Sequence, residues 1–290
     1  MKAIGVKNRC RVRDIPKGVE YLTAVPRMRR YMEASGQILA AYLELVSAED
    51  VHVYSIDECF IEAGPYLRLY DIDAREFARK LMAKAFEATG VTATAGIGEN
   101  MFQAKLALDV CAKHAADGIG WLDQESFKRE MWFHRPLTDV WGIGPGIARR
   151  LEKYGAYDLA GVCSVEPGVL RKEFGKGVEY LIDHAWGLEA CTVVQARGYR
   201  PRGHSKTNGQ VLMRDYDWRE VETLLREMVL ASALELVADG LCAAVAGVYV
   251  GYSVSNFPRQ AREAFGPCGS MAAGAGGSAK LPSPPTTRRR

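Results

Sequence analysis

Val51-His52-Val53-Tyr54-Ser55-Ile56-Asp57-Glu58-Cys59-Phe60-Ile61-Glu62-Ala63 is the stretch on which the fold turns. Its β-branched and aromatic residues predict a strand over 51–63, interrupted by two adjacent carboxylates. Such a pair in a half-buried strand is costly unless a cationic partner or a metal ion compensates the charge. Neighbours on a regular strand point to opposite faces, so both acids reach one ion only at a strand end, a bulge or a turn. The alternative is a hairpin turn with exposed acids.

Working outward, residues 75–89 place Phe77, Leu81 and Ala85 in one row and Ala78, Met82 and Phe86 in the next, an amphipathic helix stopped by Gly90. Residues 91–97 (VTATAGI) predict a second strand, so that strand, helix and strand form one unit. Gly98-Glu99-Asn100 then leads into a helix over about 101–113, with Asn100 as its N-cap. A further helix covers 218–239, where Asp217 and Glu220 have capping-box spacing, and VAGVYVGYSV at 245–254 predicts another strand. The expected architecture is α+β. Residues 136–190 look helical and glycine-punctuated, and 195–208 predict a basic, irregular linker. From Gly266 onward the Gly, Ala, Ser and Pro content predicts disorder.

A chain of 290 residues, 48% of them hydrophobic, has material for two or more domains. It has no run of about 18 apolar residues, and its first residues are too basic for a signal peptide, so a cytoplasmic, non-membrane protein is expected. The seven cysteines are spread singly, which argues against a zinc site or a disulfide framework and for reduced thiols, mostly in the core. Charge is unevenly placed. Residues 1–31 carry nine Lys and Arg against two Asp and Glu, whereas residues 32–123 carry seven against fifteen. A basic segment beside an acidic one suits a site that gathers cations on carboxylates next to a surface that holds polyanions; an ordinary uneven surface is the alternative.

Two further motifs bear on chemistry. Lys105 falls in the first turns of the 101–113 helix, where a lysine near a helix N-terminus suits phosphate; alternatively its stem packs on the core and its head reaches water. Leu137-Thr138-Asp139-Val140-Trp141-Gly142-Ile143-Gly144-Pro145-Gly146-Ile147-Ala148-Arg149-Arg150-Leu151 partly imitates a dinucleotide fingerprint, but the strand before it and the acidic residue after it are missing. That argues against a nucleotide-binding oxidoreductase, which is left as a third reading. A hairpin between helices fits better: Gly142 and Gly144 open the backbone to a phosphate, Pro145 starts the next helix, and Arg149 and Arg150 add charge. An ordinary glycine turn is the other reading.

Taken together, VYSIDECFIEA, AGIGENMFQAKLALDVCAKHAADGIGWL and PLTDVWGIGPGIARRLEKYGA, in this order and spacing, resemble the second catalytic motif, the palm segment and the thumb helix-hairpin-helix of Y-family translesion DNA polymerases of the UmuC and DinB type. GHSKTNGQVLMRDYDW with the helix and strand after it resembles the start of that family's little finger. The resemblance implies a right-hand polymerase-like fold: fingers remnant 1–31, an incomplete ferredoxin-like palm 32–123, a helical thumb 124–190, a linker 191–203, a partial α/β little finger 204–256 and a low-complexity tail 257–290. It implies that Asp57 and Glu58 are catalytic and hold two Mg2+ ions, that Lys105 contacts the incoming triphosphate, and that Gly142, Gly144, Gly146, Arg149 and Arg150 hold the DNA backbone. The implied partners are primer-template and damaged DNA, deoxynucleoside triphosphates and, in a complete member, a sliding clamp; the setting is DNA repair in the SOS response.

The resemblance also sets expectations for the ends. A complete member starts with a strand bearing another metal-binding aspartate, which this sequence does not show, so little polymerase activity and a palm sheet lacking its middle strand are expected. An interrupted reading frame near 255–258 is expected as well, with genuine divergence of the tail as the alternative. The competing function is a non-catalytic damaged-DNA-binding remnant.

Overall fold

The computed structural model describes residues 5–6, 10, 12–200, 205–212, 214–253 and 274–281. They belong to two compact units, Met1–Arg200 and Pro201–Arg290. Helices and strands are mixed in both. No helix among the described residues is long and apolar enough to cross a membrane.

In the first unit, α1 (Met28–Leu43) precedes a hairpin of β1 (Val51–Val53) and β2 (Cys59–Ile61), followed by α2 (Gly64–Tyr70) and α3 (Ala74–Thr89). The long strand expected over 51–63 is therefore two short ones, paired antiparallel with Val53 opposite Cys59. The reason is local. Tyr54 and Ser55 both donate their backbone N–H to the Glu58 carbonyl at 3.0 and 3.1 Å, and the Ser55 hydroxyl donates to Asp57 at 2.8 Å, so the chain reverses where the side chains become polar.

The first and second expected strands are not partners either. β3 (Ala95–Gly98) pairs in parallel with β4 (Ile119–Leu122), across a connection that contains α4 (Met101–Leu106). Four residues with a central glycine gave β4 too weak a strand signal. The expected helix over 101–113 is α-helical only to Leu106; it continues as a π turn over Ala107–Cys111 and a 3₁₀ turn over Ala112–His114. Asn100 caps α4 as expected, accepting from the Gln103 N–H at 2.9 Å.

The seating of α4 depends on glycine. A Cβ at Gly96 would lie 2.1 Å from the Ala104 carbonyl oxygen, and one at Gly120 would lie 2.2 Å from that of Ala107. Backbone touches backbone, and Phe102, Leu106 and Ala107 are fully buried beneath. Gln103, also fully buried, donates to the side chain of Gln124 and to the Gly187 carbonyl, both at 3.0 Å, and Asn100 donates to the same carbonyl at 2.9 Å. A buried amide satisfied in this way fixes its helix in register and direction.

Around α4 gather α5 (Gln124–Glu130), α6 (Pro145–Glu152), α7 (Leu159–Ser164), α8 (Pro167–Phe174) and α9 (Val178–Ala185), with Phe127, Leu151, Leu159 and Leu170 in one apolar cluster with Phe102 and Leu106. Each such side chain contributes roughly 1.5–3 kcal/mol on burial. A second cluster, with Val46, Val51, Tyr66 and Phe77, packs the hairpin on α2 and α3. Phe77 faces it and Ala85 is buried, as expected, but Phe86 is 53% exposed because its row has drifted off the core. Residues 193–198, inside the expected linker, form α10 (Val193–Gly198), with a Thr192 and Gln195 capping box that outweighs the basic composition.

In the second unit, α11 (Trp218–Ala238) is capped by Asp217 and Glu220 as read from sequence, and β5 (Val245–Gly251) follows. β6 (Gly274–Lys280) pairs antiparallel with β5, which corrects the expected disorder over these residues: glycine and alanine give little to bury but leave every ladder group free to pair. The suggested break near 255–258 lies outside the described residues. The described cysteines are all free, and Cys59, Cys111 and Cys163 pack half-buried against the two apolar clusters, whereas Cys10 and Cys191 are half-buried outside them and Cys242 is exposed; Cys268 lies outside the described residues.

Gly120→Ala is expected to cost about 3 kcal/mol, since backbone must move to admit the methyl, and to lower the thermal midpoint by roughly 6–12 °C. Calorimetry showing an unchanged midpoint would contradict the contact. A second expectation concerns pH. Arg75 grips Asp117 with two hydrogen bonds of 2.9 Å, tying α3 to the turn before β4, and this is the main cause that lowers the Asp117 carboxyl from 3.8 to about 2. The folded value lies below the unfolded one, so this stabilisation is complete above about pH 4 and is lost as pH falls through about 2. Arg75→Ala should return the Asp117 titration, followed by NMR, toward the ordinary range.

Candidate active site

The hairpin turn places Asp57 and Glu58 side by side at the tip of β1 and β2, which resolves the alternation that a regular strand would impose. The two then part in environment. Asp57 is exposed and accepts only from the Ser55 hydroxyl in the contacts described, whereas Glu58 is half-buried and meets Lys105.

Lys105 comes from α4, 47 residues away in sequence. Its side chain is 9% exposed, and its ammonium lies 2.7 Å from Glu58 Oε1 and 3.1 Å from Asp109 Oδ2. Burial alone would lower the Lys105 pKa; hydrogen bonds to Glu58 and then Asp109 outweigh it, and the pKa is raised. The lysine head therefore meets carboxylates instead of open water. Asp109 was not picked out from sequence, although its spacing four residues after Lys105 is the usual signal for a helical ion pair.

Glu58 and Lys105 lie on the wall of a cavity of about 710 Å³, bordered on one side by Cys59 and Ile61 of β2 and on the other by Gly96 and Gly98 of β3. The two strand pairs do not bond to each other. Among the described residues no group of three or more His, Cys, Asp or Glu side chains could hold a metal ion. Asp57 and Glu58 are nevertheless hard oxygen donors, and magnesium is commonly bound by one or two carboxylates with water and substrate phosphates completing its shell. The donor chemistry fits an ion that arrives with its substrate.

The glycine hairpin is a separate element. Gly142, Gly144 and Gly146 are exposed, and a Cβ on any of them would meet nothing within 4 Å, so the backbone is open to an approaching group. Gly144 is the N-cap of α6 and Pro145 its first residue, as read from sequence. The two arginines differ. Arg149 is exposed and makes no ion pair among the described residues. Arg150 donates to the Glu173 carboxylate at 2.8 Å and to the Glu173 carbonyl, with its guanidinium over the Phe174 ring. Trp141, which sequence reasoning left without a role, donates its indole N–H to the Tyr54 hydroxyl at 3.1 Å.

Residues 1–109 match the model of the impB/mucB/samB family. The putative UV-damage repair protein UvrX of Bacillus subtilis (strain 168) is 30% identical over 228 residues, 78% of this chain and 53% of the relative. The DNA repair protein homolog YobH of the same organism is 32% identical over 153 residues, 51% of this chain and 70% of the relative. This chain thus spans about half the length of UvrX and more than two thirds of YobH. Among solved structures, the Y-family DNA polymerase chimera Dbh-Dpo4(243-245)-Dbh superposes with a TM-score of 0.54 at 16% identity, covering 88% of this chain and 66% of the other, a likeness of fold. On these matches the chain belongs to the impB/mucB/samB family.

Proposed function

We propose that this chain supplies the palm and thumb of a translesion DNA polymerase, which joins a deoxynucleotide to a primer 3′-hydroxyl opposite a damaged template. The observation that supports it most is the convergence of Glu58, beside Asp57, with Lys105 at one cavity wall. In this reading residues 32–123 are palm, 124–190 thumb, 204–256 part of a little finger and 1–31 part of the fingers.

Asp57 and Glu58 would hold magnesium, which when bound activates the attacking hydroxyl and neutralises the departing pyrophosphate. The protein's own groups position and balance charge. Lys105 has two anionic partners, so it would keep its charge on Asp109 while turning from Glu58 toward a triphosphate. Gly142, Gly144 and Gly146 present backbone to phosphate, and Arg149 adds a free cation. Arg150 reaches a phosphate only by leaving Glu173. Such contacts read no sequence, which suits an enzyme that must bind damaged templates.

A non-catalytic DNA-binding role is the second reading, favoured by the lack of a three-carboxylate cluster among the described residues. Triphosphate binding separates the two. With magnesium and primer-template present, Lys105→Ala should weaken deoxynucleoside triphosphate binding about tenfold to a hundredfold, the scale of one charge-assisted hydrogen bond, and Asp57→Asn with Glu58→Gln should abolish its metal dependence. Binding indifferent to all three changes sinks the polymerase assignment; duplex binding without triphosphate binding puts the second reading in its place. For the hairpin, Arg149→Ala should reduce the salt slope of duplex binding by about one, whereas Arg150→Ala should lower the thermal midpoint and leave the slope nearly unchanged. Equal slopes for the parent and Arg149→Ala would remove Arg149 from the interface.

A further inference from the structure

Trp141 sits directly before Gly142, the first glycine of the hairpin, which has a φ of +85°. Its indole N–H donates to the Tyr54 hydroxyl at 3.1 Å, and the two rings meet edge to face at 5.8 Å. Tyr54 is the first residue of the acidic turn: its own N–H closes the turn on the Glu58 carbonyl at 3.0 Å. Its ring also meets Phe60 of β2 edge to face at 5.8 Å, with the Lys105 ammonium 5.9 Å from its centre.

On its other side Trp141 stacks on His184 at 6.0 Å, and His184 lies face to face with Phe102 at 3.9 Å. Phe102 is fully buried on α4, three residues before Lys105. Both halves of the Glu58 and Lys105 pair are therefore referenced to one indole, which belongs to the element that presents open backbone to a ligand. Besides the bond from Trp141, the turn is held by its two backbone bonds, the Ser55 hydroxyl, the Glu58–Lys105 pair and the Tyr54–Phe60 ring contact, of which only the Trp141 bond comes from the hairpin.

We propose that Trp141 is a positioning residue that couples DNA on the Gly142–Gly146 hairpin to the acidic turn, so that seating the DNA backbone orders Asp57 and Glu58 for the reaction. The proposal rests on the polymerase reading above and adds to it a mechanical link. A hairpin held by a phosphate backbone can no longer move independently, so the Trp141 N–H stays on Tyr54 and the Tyr54–Glu58 turn opens less often. The turn thus gains order when a template is present.

Hydrogen exchange followed by mass spectrometry on the peptide over 51–61, with and without a saturating undamaged duplex, tests this; saturation is set for each variant by fluorescence anisotropy. In the parent, duplex should slow exchange at Tyr54 and Ser55 about threefold to tenfold, the scale of one net hydrogen bond. Trp141→Phe and Tyr54→Phe should each remove the slowing, and the double variant should remove no more. The non-additive pattern, together with unchanged exchange over α4, distinguishes coupling from simple loosening of the fold. Equal slowing in parent and Trp141→Phe overturns the proposal, as does a duplex that binds the parent without slowing the turn. Failure of the duplex to bind at all overturns the polymerase reading itself, and the coupling with it.

Discussion

Helix α4 lies on β3 and β4 at a distance that no side chain larger than hydrogen permits, and most of the site's geometry descends from that contact. With Gly96 and Gly120 beneath it, α4 is held by backbone against backbone, and its direction is set by buried Gln103 and Asn100 on the Gly187 carbonyl. Lys105 can then project from only one place. A helix resting on leucine or valine would stand farther off and carry the ammonium away from Glu58. The π turn after Leu106 belongs to the same constraint: Ala107 touches Gly120, and the widened turn keeps the chain close to β4 before it releases into 112–114.

From that placement follows the electrostatic character of the site. A lysine with so little exposure needs anionic partners, and Glu58 and Asp109 provide them from different directions. In the structure the cation and the carboxylates satisfy one another's charge; on the proposed reading, a metal and a polyphosphate would take their places as an equivalent pair. Asp57, exposed and bonded to the Ser55 hydroxyl, needs no such partner and is the more readily available of the two acids. Hydration already balances its charge.

Local signals carried well from sequence to structure where capping and turn chemistry are decided within a few residues. Asp217 with Glu220, Asn100 ahead of α4 and Pro145 at the start of α6 are cases in which the backbone groups to be satisfied lie next to the side chains that satisfy them. Failures arose where pairing decides. Residues 51–63 have strand composition throughout, and only the competing bonds of Ser55 and Glu58 show that the chain turns back; β4 is a strand because β3 lies beside it, not because Gly120 favours one. In the site, Asp57, Glu58 and Lys105 were legible as residue types, and the meeting of Glu58 with Lys105 requires the fold. Tyr54 and Trp141 were invisible as a pair, since nothing in either segment announces an 87-residue contact between aromatic side chains.

If the hairpin holds DNA as proposed, its sequence-indifferent grip calls for an internal link. Backbone N–H groups at glycines can hold any phosphate, so occupancy of Gly142–Gly146 alone carries no information about whether a primer end is correctly placed. Charge does not supply it either, because Arg150 is committed to Glu173 and Arg149 stands free on the surface. What remains is mechanical: the indole that precedes the first glycine is bonded to the residue that opens the acidic turn, and through His184 and Phe102 it leans on the helix that carries Lys105. On the proposed reading, a grip that is blind to sequence would in this way still report to the carboxylates that it is occupied.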